Sequence, residues 1–452
     1  MPTYGGSAVA PSSRRSLGVA RELQVGQALL PTNTIPVDAK SFSPEDNPKF
    51  LNDEALRGQM AMLYNVILGP EDASFSFGGP NFLDIHGFFL DNLFGDLSTT
   101  GSTPTNGTSL SGSVATLAIG GTQATLVSAS GYSSASTVQI DSGNISEVVV
   151  LSTAPSGSLI TFGNNPLRFP HAAGATVNTV SSSGNFTHTF ALLNSQLGYG
   201  GVAGAQPPTH SLTDNYNLGY LGGGSGENTA NARTYPSCCV GQIDLTGNAE
   251  QLLEIKFSGN GFVSAPASAA PTITISSVVP VANWRGLIYI GGTAASNQVT
   301  TIGEWALSLK RQLQIYFTVA NSQNPYIIAR GPLSASMTAQ FTTPGDESPL
   351  VYMLYDGPQL IQVVLDNGLS GTSHIKLTIT GHNAQAVKSK PGSSSVLIDF
   401  ADSFDFIANS SDVGGSGGLG PIVVQLLNQI ATYDATGWMA GEKFTPRLMH
   451  LL

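Results

Sequence analysis

Histidine and carboxylate side chains are the groups in this sequence best suited to metal binding or proton transfer, and their spacing argues against both. The seven histidines are scattered singly. His374 and His382 bracket the segment HIKLTITGH, where eight residues of strand would separate them by about 25 Å, too far to share a metal ion. Asp402 and Asp405 are three positions apart, and such positions on a strand face opposite sides. We interpret these two aspartates as solvated charges of a loop or a lumen.

Motifs that need fixed spacing are missing. The sequence has no CxxC, HExxH, GxxxxGK[ST] or GxSxG pattern, and no GxGxxG that follows a strand and opens a helix. The glycine-rich tract GYLGGGSGENTANAR (219–233) lacks the lysine of a phosphate-binding loop and is interpreted as a mobile loop. Cys238 and Cys239 are adjacent, and we expect reduced packing residues on opposite faces of a strand. We predict no catalytic residue, cofactor or metal.

The composition favours strands and loops. Only 10% of the 452 residues are charged, against about 25% in an ordinary globular protein, and 52 are glycine. The net charge of -11 disfavours nucleic-acid binding by general electrostatic attraction. No run of eighteen apolar residues and no signal-peptide pattern occurs, so we expect a protein made and kept in a cytoplasm, without a membrane segment.

One segment has the periodicity of a helix. In PNFLDIHGFFLDNLFGD, apolar residues recur at spacings of three and four at Phe82, Ile85, Phe89 and Leu93. This predicts a helix over about residues 80–95, with a proline in its first turn and Gly95 at its end. The helix should pack one face against a sheet.

The amino-acid composition of the sequence changes after residue 97. Residues 98–113 are small and polar and predict a flexible linker, and short alternating runs up to residue 180 predict a small β-sandwich. The predicted units are the N-terminal part of a main domain (1–100), an inserted β-sandwich (101–183), the main part of that domain (184–410), and a C-terminal linker and interaction arm (411–452).

The most regular strand pattern lies between residues 301 and 320. Trp305, Leu307 and Leu309 alternate with polar residues, which predicts a long half-buried strand with these three on its buried face. A turn at SQNP and a second strand follow. DESPLVYMLYDG (346–357) predicts a short helix with Leu350, Met353 and Leu354 inward.

The segment IGEWALSLKRQLQIYFTVANSQNPYIIARGPLSASMTAQF (302–341) resembles a hallmark stretch of phage tail tube proteins. In that family, a strand that contains a tryptophan is followed by a basic residue, a turn with a proline, and a strand that begins with glycine. Here these features fall on Trp305, Lys310, Arg311, Ser322, Gln323, Asn324, Pro325 and Gly331. The start LGVARELQVGQALLPTNTIPV, followed by LRGQM, is similar to the start of the same family. The resemblance covers residues 15–97 and 185–408, and residues 101–183 depart from it.

The resemblance implies a mainly β fold: a tail-tube-type β-sandwich or barrel with a flanking α-helix, plus the inserted small β-sandwich. It implies copies of this chain in stacked, hexameric rings that form a virion tail tube, assembled in the host cytoplasm. Tape measure and tail terminator or baseplate proteins would be partners, and DNA would pass through the lumen without specific binding. The candidate lumen acids are Glu254 and Glu304, and the candidate inter-subunit contacts are Trp305, Arg311, Pro325 and Phe341.

Physical arguments favour the same assembly. Ring closure would remove free sheet edges, and an acidic lumen would repel the DNA backbone. The insert should project outward, so that deleting residues 101–183 leaves tubes intact.

One alternative is a carbohydrate-binding or adhesive surface fibre, which would need clustered aromatic residues, and the tryptophans lie at 284, 305 and 438. Another alternative is a β-rich hydrolase. It would need an acid and a base that converge in a cleft, and no residue spacing in the sequence indicates such a pair.

Overall fold

The protein is mainly β, as predicted. The computed structural model describes residues 15–22, 25–26, 28–29, 36–37, 41–54, 63, 65–101, 104–111, 117–162, 166–194, 206–215, 232–267, 278–319, 322–342, 357–393 and 398–433. The predicted helix at 346–357 lies almost wholly outside these residues, and the predicted loop at 219–233 does so except for its last two. No helix in the described part is long and apolar enough to cross a membrane.

The described residues form 24 strands and one α-helix, α1 (Gly87–Phe94). The strands before and within the predicted insert are β1 (Ser16–Arg21), β2 (Pro36–Val37), β3 (Ser41–Asp53), β4 (Asn65–Pro80), β5 (Gly95–Gly101), β6 (Pro104–Ser109), β7 (Gln123–Thr125), β8 (Thr137–Ile140), β9 (Glu147–Val150), β10 (Leu159–Thr161) and β11 (Thr176–Val180). Those after it are β12 (Phe186–Leu192), β13 (His210–Asn215), β14 (Ala232–Asn248), β15 (Glu254–Gly261), β16 (Ala265–Pro266), β17 (Leu287–Ile290), β18 (Gln298–Val299), β19 (Ile302–Tyr316), β20 (Ile327–Thr342), β21 (Gln359–Asp366), β22 (Lys376–Ser393), β23 (Ile398–Phe406) and β24 (Val423–Asn428). Short 3₁₀ turns lie at Gly143–Ile145, Asn283–Arg285, Ala295–Asn297 and Gly371–Ser373.

Eight strands form one antiparallel sheet in the spatial order β3-β4-β15-β14-β19-β20-β23-β22. The burial of β19 alternates along its length, and Trp305, Leu307 and Leu309 are 5%, 1% and 0% exposed. The predicted half-buried strand is therefore confirmed. One side of this sheet packs on the main hydrophobic core, and the other side is polar.

Two long strands connect this sheet to the second layer of the core. The first part of β14 pairs with β13, and its second part pairs with β15 and β19. The first half of β22 pairs with β21 and β24, and its second half pairs with β23. Register shifts at Val240/Gln242 and Ala386/Lys388 mark bulges, which bend a strand and increase its twist. Each strand can thereby wrap around the core.

Helix α1 is shorter than predicted and is buried on every side. It begins at Gly87, because residues up to 80 belong to β4 and residues 83–86 form turns. Its predicted end is confirmed, with Gly95 in the left-handed conformation at φ 83°. All eight helical residues are buried, and the Phe89 ring packs edge-on against Phe77 and at a tilt against Phe257 of the sheet.

The predicted linker at 98–113 is largely β-strand. β5 continues to Gly101 and pairs with β12, and β6 pairs with β11. The glycine, proline and asparagine residues of this stretch have low strand propensity alone, but pairing with a neighbour overrides that preference. Gly101 lies opposite Phe186, so residues 102–185 extend from the tip of a β-hairpin. A second hydrophobic cluster, from Leu110 to Val177, lies within them.

The glycine-rich stretch after residue 411 is packed on the body of the chain and does not form a free linker. Asp96 accepts hydrogen bonds from the backbone N–H groups of Gly415 and Ser416, at 3.2 and 2.7 Å. The segment then enters β24 and ends at Tyr433, whose side chain is fully buried against Phe88. Residues 434–452 lie outside the described part.

Candidate functional site

The polar side of the eight-stranded sheet is the candidate functional surface. Because side chains alternate, every second residue of each strand faces this side, and the registers align them across the sheet. Small polar residues predominate, including Ser41, Ser43, Ser74, Ser76, Thr246, Ser258, Ser308, Ser334, Ser336, Thr338 and Ser403. Two adjoining grooves, of about 730 and 550 Å³, run across it. We call this surface the polar face.

The polar face carries nearly balanced charges. Its acids are Glu45, Asp72, Asp244, Glu254, Glu304, Asp399 and Asp405, and its lysines are Lys49, Lys256, Lys310, Lys388 and Lys390. Seven carboxylates and five ammonium groups leave a net charge near -2, so most of the acids on this surface are offset by lysines. The two candidate acids Glu254 and Glu304 both lie on it, lining the same groove as Lys388 and Lys390.

Hydrogen bonds hold several of these carboxylates in place. Asp244 accepts from the Ser308 hydroxyl at 2.5 Å and from the Gln242 amide at 2.6 Å. Glu304 accepts from the Asn248 amide at 2.6 Å. The acids are therefore partly satisfied by their own sheet. Within the described ranges, no group of three or more His, Cys, Asp or Glu side chains is arranged to hold a metal ion.

The four candidate inter-subunit residues lie inside the chain, contrary to the sequence-based expectation. Trp305 and Phe341 are 5% and 1% exposed in the main core, and Pro325 is buried in its turn. Trp305 donates its indole N–H to Asn283 at 3.0 Å. The alternation that made these residues conspicuous in the sequence reflects core packing. We therefore expect contacts between copies to involve other residues.

Arg311 has a structural task that the sequence did not indicate. Its guanidinium donates to the carbonyl of Leu93, in the last turn of α1, at 2.7 Å and to the carbonyl of Gly331 at 2.8 Å. Such carbonyls have no partner within a helix. Burial, together with the charge of Arg330, lowers the pKa of Arg311 to about 10, so the group stays charged at neutral pH. The basic residue of the resemblance segment thus joins the helix to the sheet.

A buried charged bridge attaches the insert to the main body. Asp91 of α1 receives two hydrogen bonds from Arg168 of the insert, at 2.8 and 3.3 Å, and lies 3.3 Å from the Arg21 guanidinium. Burial alone would raise the pKa of Asp91, but the two arginine charges outweigh it and lower the pKa. Sequence reasoning missed this bridge because its members are 70 to 147 positions apart.

Inside the insert, a buried histidine joins two carboxylates. The Nε2 atom of His171 lies 2.8 Å from Glu147, and its Nδ1 atom lies 3.3 Å from Asp141. Glu147 also accepts from the backbone N–H groups of Arg168 and Phe169, both at 2.8 Å. This cluster fixes the segment that carries Arg168, and so it supports the charged bridge.

The cysteines and the two strand histidines have ordinary structural roles. Cys238 packs in the main core and Cys239 in a separate cluster with Phe262, which confirms that they face opposite sides. Both thiols are free and buried, and burial raises the pKa of each. His374 pairs with Asp366 and His382 pairs with Asp412, so each histidine has its own carboxylate partner.

Two edges of the sheet and two ends of its strands remain exposed. Among the described strands, β3 pairs on one side only, and so does the second half of β22. The tip of the β3–β4 hairpin exposes Phe50, Leu51, Val66 and Ile67 by 45% to 60%. At the opposite end, Leu252, Val279 and Trp284 are 43%, 61% and 67% exposed. Exposed apolar groups of this kind mark contact surfaces.

Of the aromatic residues required by the adhesive alternative, Trp284 is exposed and Trp305 is buried, while the tryptophan at 438 lies outside the described residues. The described part of the chain therefore has no exposed cluster of tryptophans. Two tyrosines, Tyr316 and Tyr326, are 44% and 70% exposed and adjacent, since the N–H of Tyr326 donates to the carbonyl of Tyr316 at 2.8 Å.

Comparison with known proteins places the chain in a family. No curated protein sequence matches it. A family model described as phage tail tube protein matches residues 12–408, a range that includes the resemblance segment and the polar-faced sheet. Since this match spans most of the chain, the chain belongs to the phage tail tube protein family.

Proposed function

We propose that copies of this chain close into rings and that the rings stack into a tube with the polar face lining its lumen. The observation that carries the proposal is an open sheet with one apolar side, one small polar side and a free edge at each end. Free edges are templates for pairing, and a closed ring removes them without leaving an aggregating surface. The exposed edge of β3 would meet the second half of β22 in the next copy, in a ring of six.

The side chains of the polar face suit a channel for DNA. Serine, threonine and glycine leave room for a wide lumen, and the acids are matched by lysines within the same groove. DNA binding needs clustered Lys and Arg that release counterions, and a balanced surface neither holds nor strongly repels the phosphates. The lumen would therefore let DNA pass without specific binding, by charge compensation and not by the strong negative charge expected from the composition.

The insert, taken as residues 101–183, would lie on the outside of the tube. It contacts α1 through Arg168 and β5 through Ser146, whose hydroxyl donates to the carbonyl of Thr99 at 2.8 Å. Both elements belong to the layer on the apolar side of the sheet, because α1 packs there against Phe77 and Phe257. The core therefore separates the insert from the polar face.

The proposed role is structural and without catalysis. The tube would be the conduit for genome ejection, assembled in the host cytoplasm around a tape measure protein and closed by terminator or baseplate proteins. These partners follow from the family and from the hollow architecture that we propose.

Electron microscopy of the purified chain tests the assembly. We expect stacked rings with a central channel when the protein is concentrated, and three-dimensional reconstruction should place Glu254 and Glu304 on the channel wall. Dispersed monomers under every salt and protein concentration would contradict the proposal. A tube whose channel is lined by the insert would contradict the assignment of the polar face.

A further inference from the structure

A buried carboxylate without a hydrogen-bond partner lies close to one free edge of the sheet. Asp402 of β23 is 2% exposed and belongs to the apolar side, since it lies opposite the core residue Ala339. Among the described residues, neither of its carboxylate oxygens has a hydrogen-bond partner in range. The interpretation of Asp402 as a solvated charge is therefore wrong, whereas Asp405, on the other side of the strand, is exposed. A buried carboxylate without a partner is costly for the single chain.

One strand separates Asp402 from the free edge. Ser389 lies opposite it on β22, and the second half of β22 pairs only with β23 among the described strands. Burial raises the pKa of Asp402, and the nearby Ser389 hydroxyl lowers it by less. Neighbouring strands lie about 4.8 Å apart, so a strand added beside β22 would be about 10 Å from Asp402. A long basic side chain spans that distance.

The number of strands determines how the next copy can join this edge. Every pairing in the eight-stranded sheet from β3 to β22 is antiparallel. Because the number of strands is even, the two edge strands run in opposite directions. The β3 strand of a following copy therefore continues the antiparallel alternation beside β22. The apolar side of β3 then faces the same way as the side that carries Asp402.

Arg15 lies on the apolar side of β3, at the other free edge of the sheet. Its guanidinium carbon is 5.2 Å from the centre of the Phe42 ring, which packs edge-on against Phe77 of the main core. The Arg15 side chain is 37% exposed and donates two hydrogen bonds to Asp214, both at 2.7 Å. A guanidinium has five N–H donors, so it can serve a second carboxylate.

We infer that Arg15 of one copy is the hydrogen-bond partner of Asp402 in the adjacent copy of the same ring. This rests on the proposed ring and names a contact that completes it. Pairing across the sheet places Phe42 level with Ala335. Asp402 is level with Ala339. The copies must therefore be offset by four residues along the strands, about 13 Å, and the tilted strands of a closed sheet have such offsets.

The variant Asp402→Asn separates a role between copies from a role within one chain. Because the carboxylate has no partner in its own chain, the dispersed variant should have a thermal unfolding midpoint no lower than that of the wild type. Its critical concentration for tube growth should rise roughly 30-fold, a typical cost of removing one member of a buried charge pair at an interface. Asp405→Asn, on the same strand and exposed, is the matched control and should change neither quantity.

Two results with Asp402→Asn would overturn the inference. A lower unfolding midpoint of the dispersed variant would reveal a partner within the chain. Tube growth equal to that of the wild type would show that no contact between copies depends on the carboxylate. Failure of the wild type itself to form tubes would instead overturn the proposed function.

A double-mutant cycle tests Arg15 as the partner. Arg15→Gln should raise the critical concentration by a similar factor, and the double variant Arg15→Gln, Asp402→Asn should raise it no further, because both changes remove one contact. Arg233→Gln is the control, since Arg233 is also 37% exposed and pairs with Asp46 of β3 at 3.6 Å. Any effect of Arg233→Gln should multiply with that of Asp402→Asn. Multiplying effects for Arg15 would overturn its assignment.

Discussion

At the scale of single residues, Asp91 is a buried carboxylate that pairs with two arginines. It is 0% exposed and is the negative charge between Arg21 and Arg168, whose side chains are 1% and 7% exposed. Removing one partner from a buried ionic cluster leaves the others uncompensated, and this costs more than the cluster contributes to stability. The bridge therefore makes the fold of the insert and the fold of the main body interdependent.

We expect Asp91→Asn to lower the free energy of unfolding by about 3 kcal/mol, since two buried guanidinium groups would lose their counter-charge. Urea denaturation followed by circular dichroism measures this change. Asp405→Asn removes a carboxylate from an exposed position of the polar face and should change stability little. Equal effects of the two variants would show that the bridge is not the cause.

The surroundings of His171 predict that the stability of the protein depends on pH. Burial would lower its pKa, but hydrogen bonds and charges from Glu147 and Asp141 outweigh burial and raise it. A raised pKa in the folded state means that the histidine stabilises the fold fully below its unfolded pKa of about 6.5, and that this contribution is lost as pH rises through the folded pKa. Stability should therefore fall on the alkaline side of pH 6.5.

Thermal unfolding at a series of pH values from 6 to 9 measures this effect, and His171→Gln is the comparison. The glutamine variant should be less stable at pH 6 and should lose the part of the alkaline decline that belongs to His171. A variant with the same pH profile as the wild type would assign the decline to other groups.

At the scale of elements, the buried Tyr433 ring holds the C-terminal strand against helix α1. A Cβ atom added at Gly87 would collide with the Tyr433 ring. Gly87→Ala should therefore displace the residues after β24 and lower stability by about 1–3 kcal/mol, the usual cost of overpacking. Limited proteolysis should then cut near residue 433 earlier than in the wild type. Gly303→Ala, with no atom near the added Cβ, should change neither measurement.

The insert is a second element whose removal has a definite expected outcome. Gly101 and Phe186 are paired, so replacing residues 102–185 with an Asn-Gly turn closes a two-residue hairpin between β5 and β12. We expect tubes that are narrower on the outside and keep their lumen, as seen by electron microscopy. The shortened chain should also be less stable than the wild type, because Asp91 keeps only Arg21. A complete loss of polymerisation would contradict the outward placement of the insert.

At the scale of the whole molecule, the charge balance of the polar face should govern DNA passage. Glu254→Lys adds two positive charges per copy to the proposed lumen, and repeated around every ring they would bind phosphates. Phage particles carrying this variant should release DNA roughly tenfold more slowly, with the delay diminishing as salt rises. The double variant Gln123→Lys, Ser134→Lys adds the same charge on exposed positions of the insert and should release DNA at the normal rate.

The sequence alone determined the features that depend on local periodicity. Alternation identified the buried face of β19, the spacing of apolar residues located α1, and Gly95 marked its end. Each is a property of neighbouring residues, so it can be read without knowing what lies across the core. The resemblance to phage tail tube proteins rested on the residues around Trp305 and Arg311, and the family model confirms it.

The tertiary structure decided which residues meet, and with it the candidate site. Composition could not show that residues 98–101 and 104–109 would pair as strands, that the candidate inter-subunit residues would be buried, or that lysines would offset most of the acids of the polar face. Those outcomes depend on register and on contacts between distant segments, such as Arg21, Asp91 and Arg168. The periodicity of the sequence shows which side of a strand is apolar, whereas only the folded structure shows which residues cover that side.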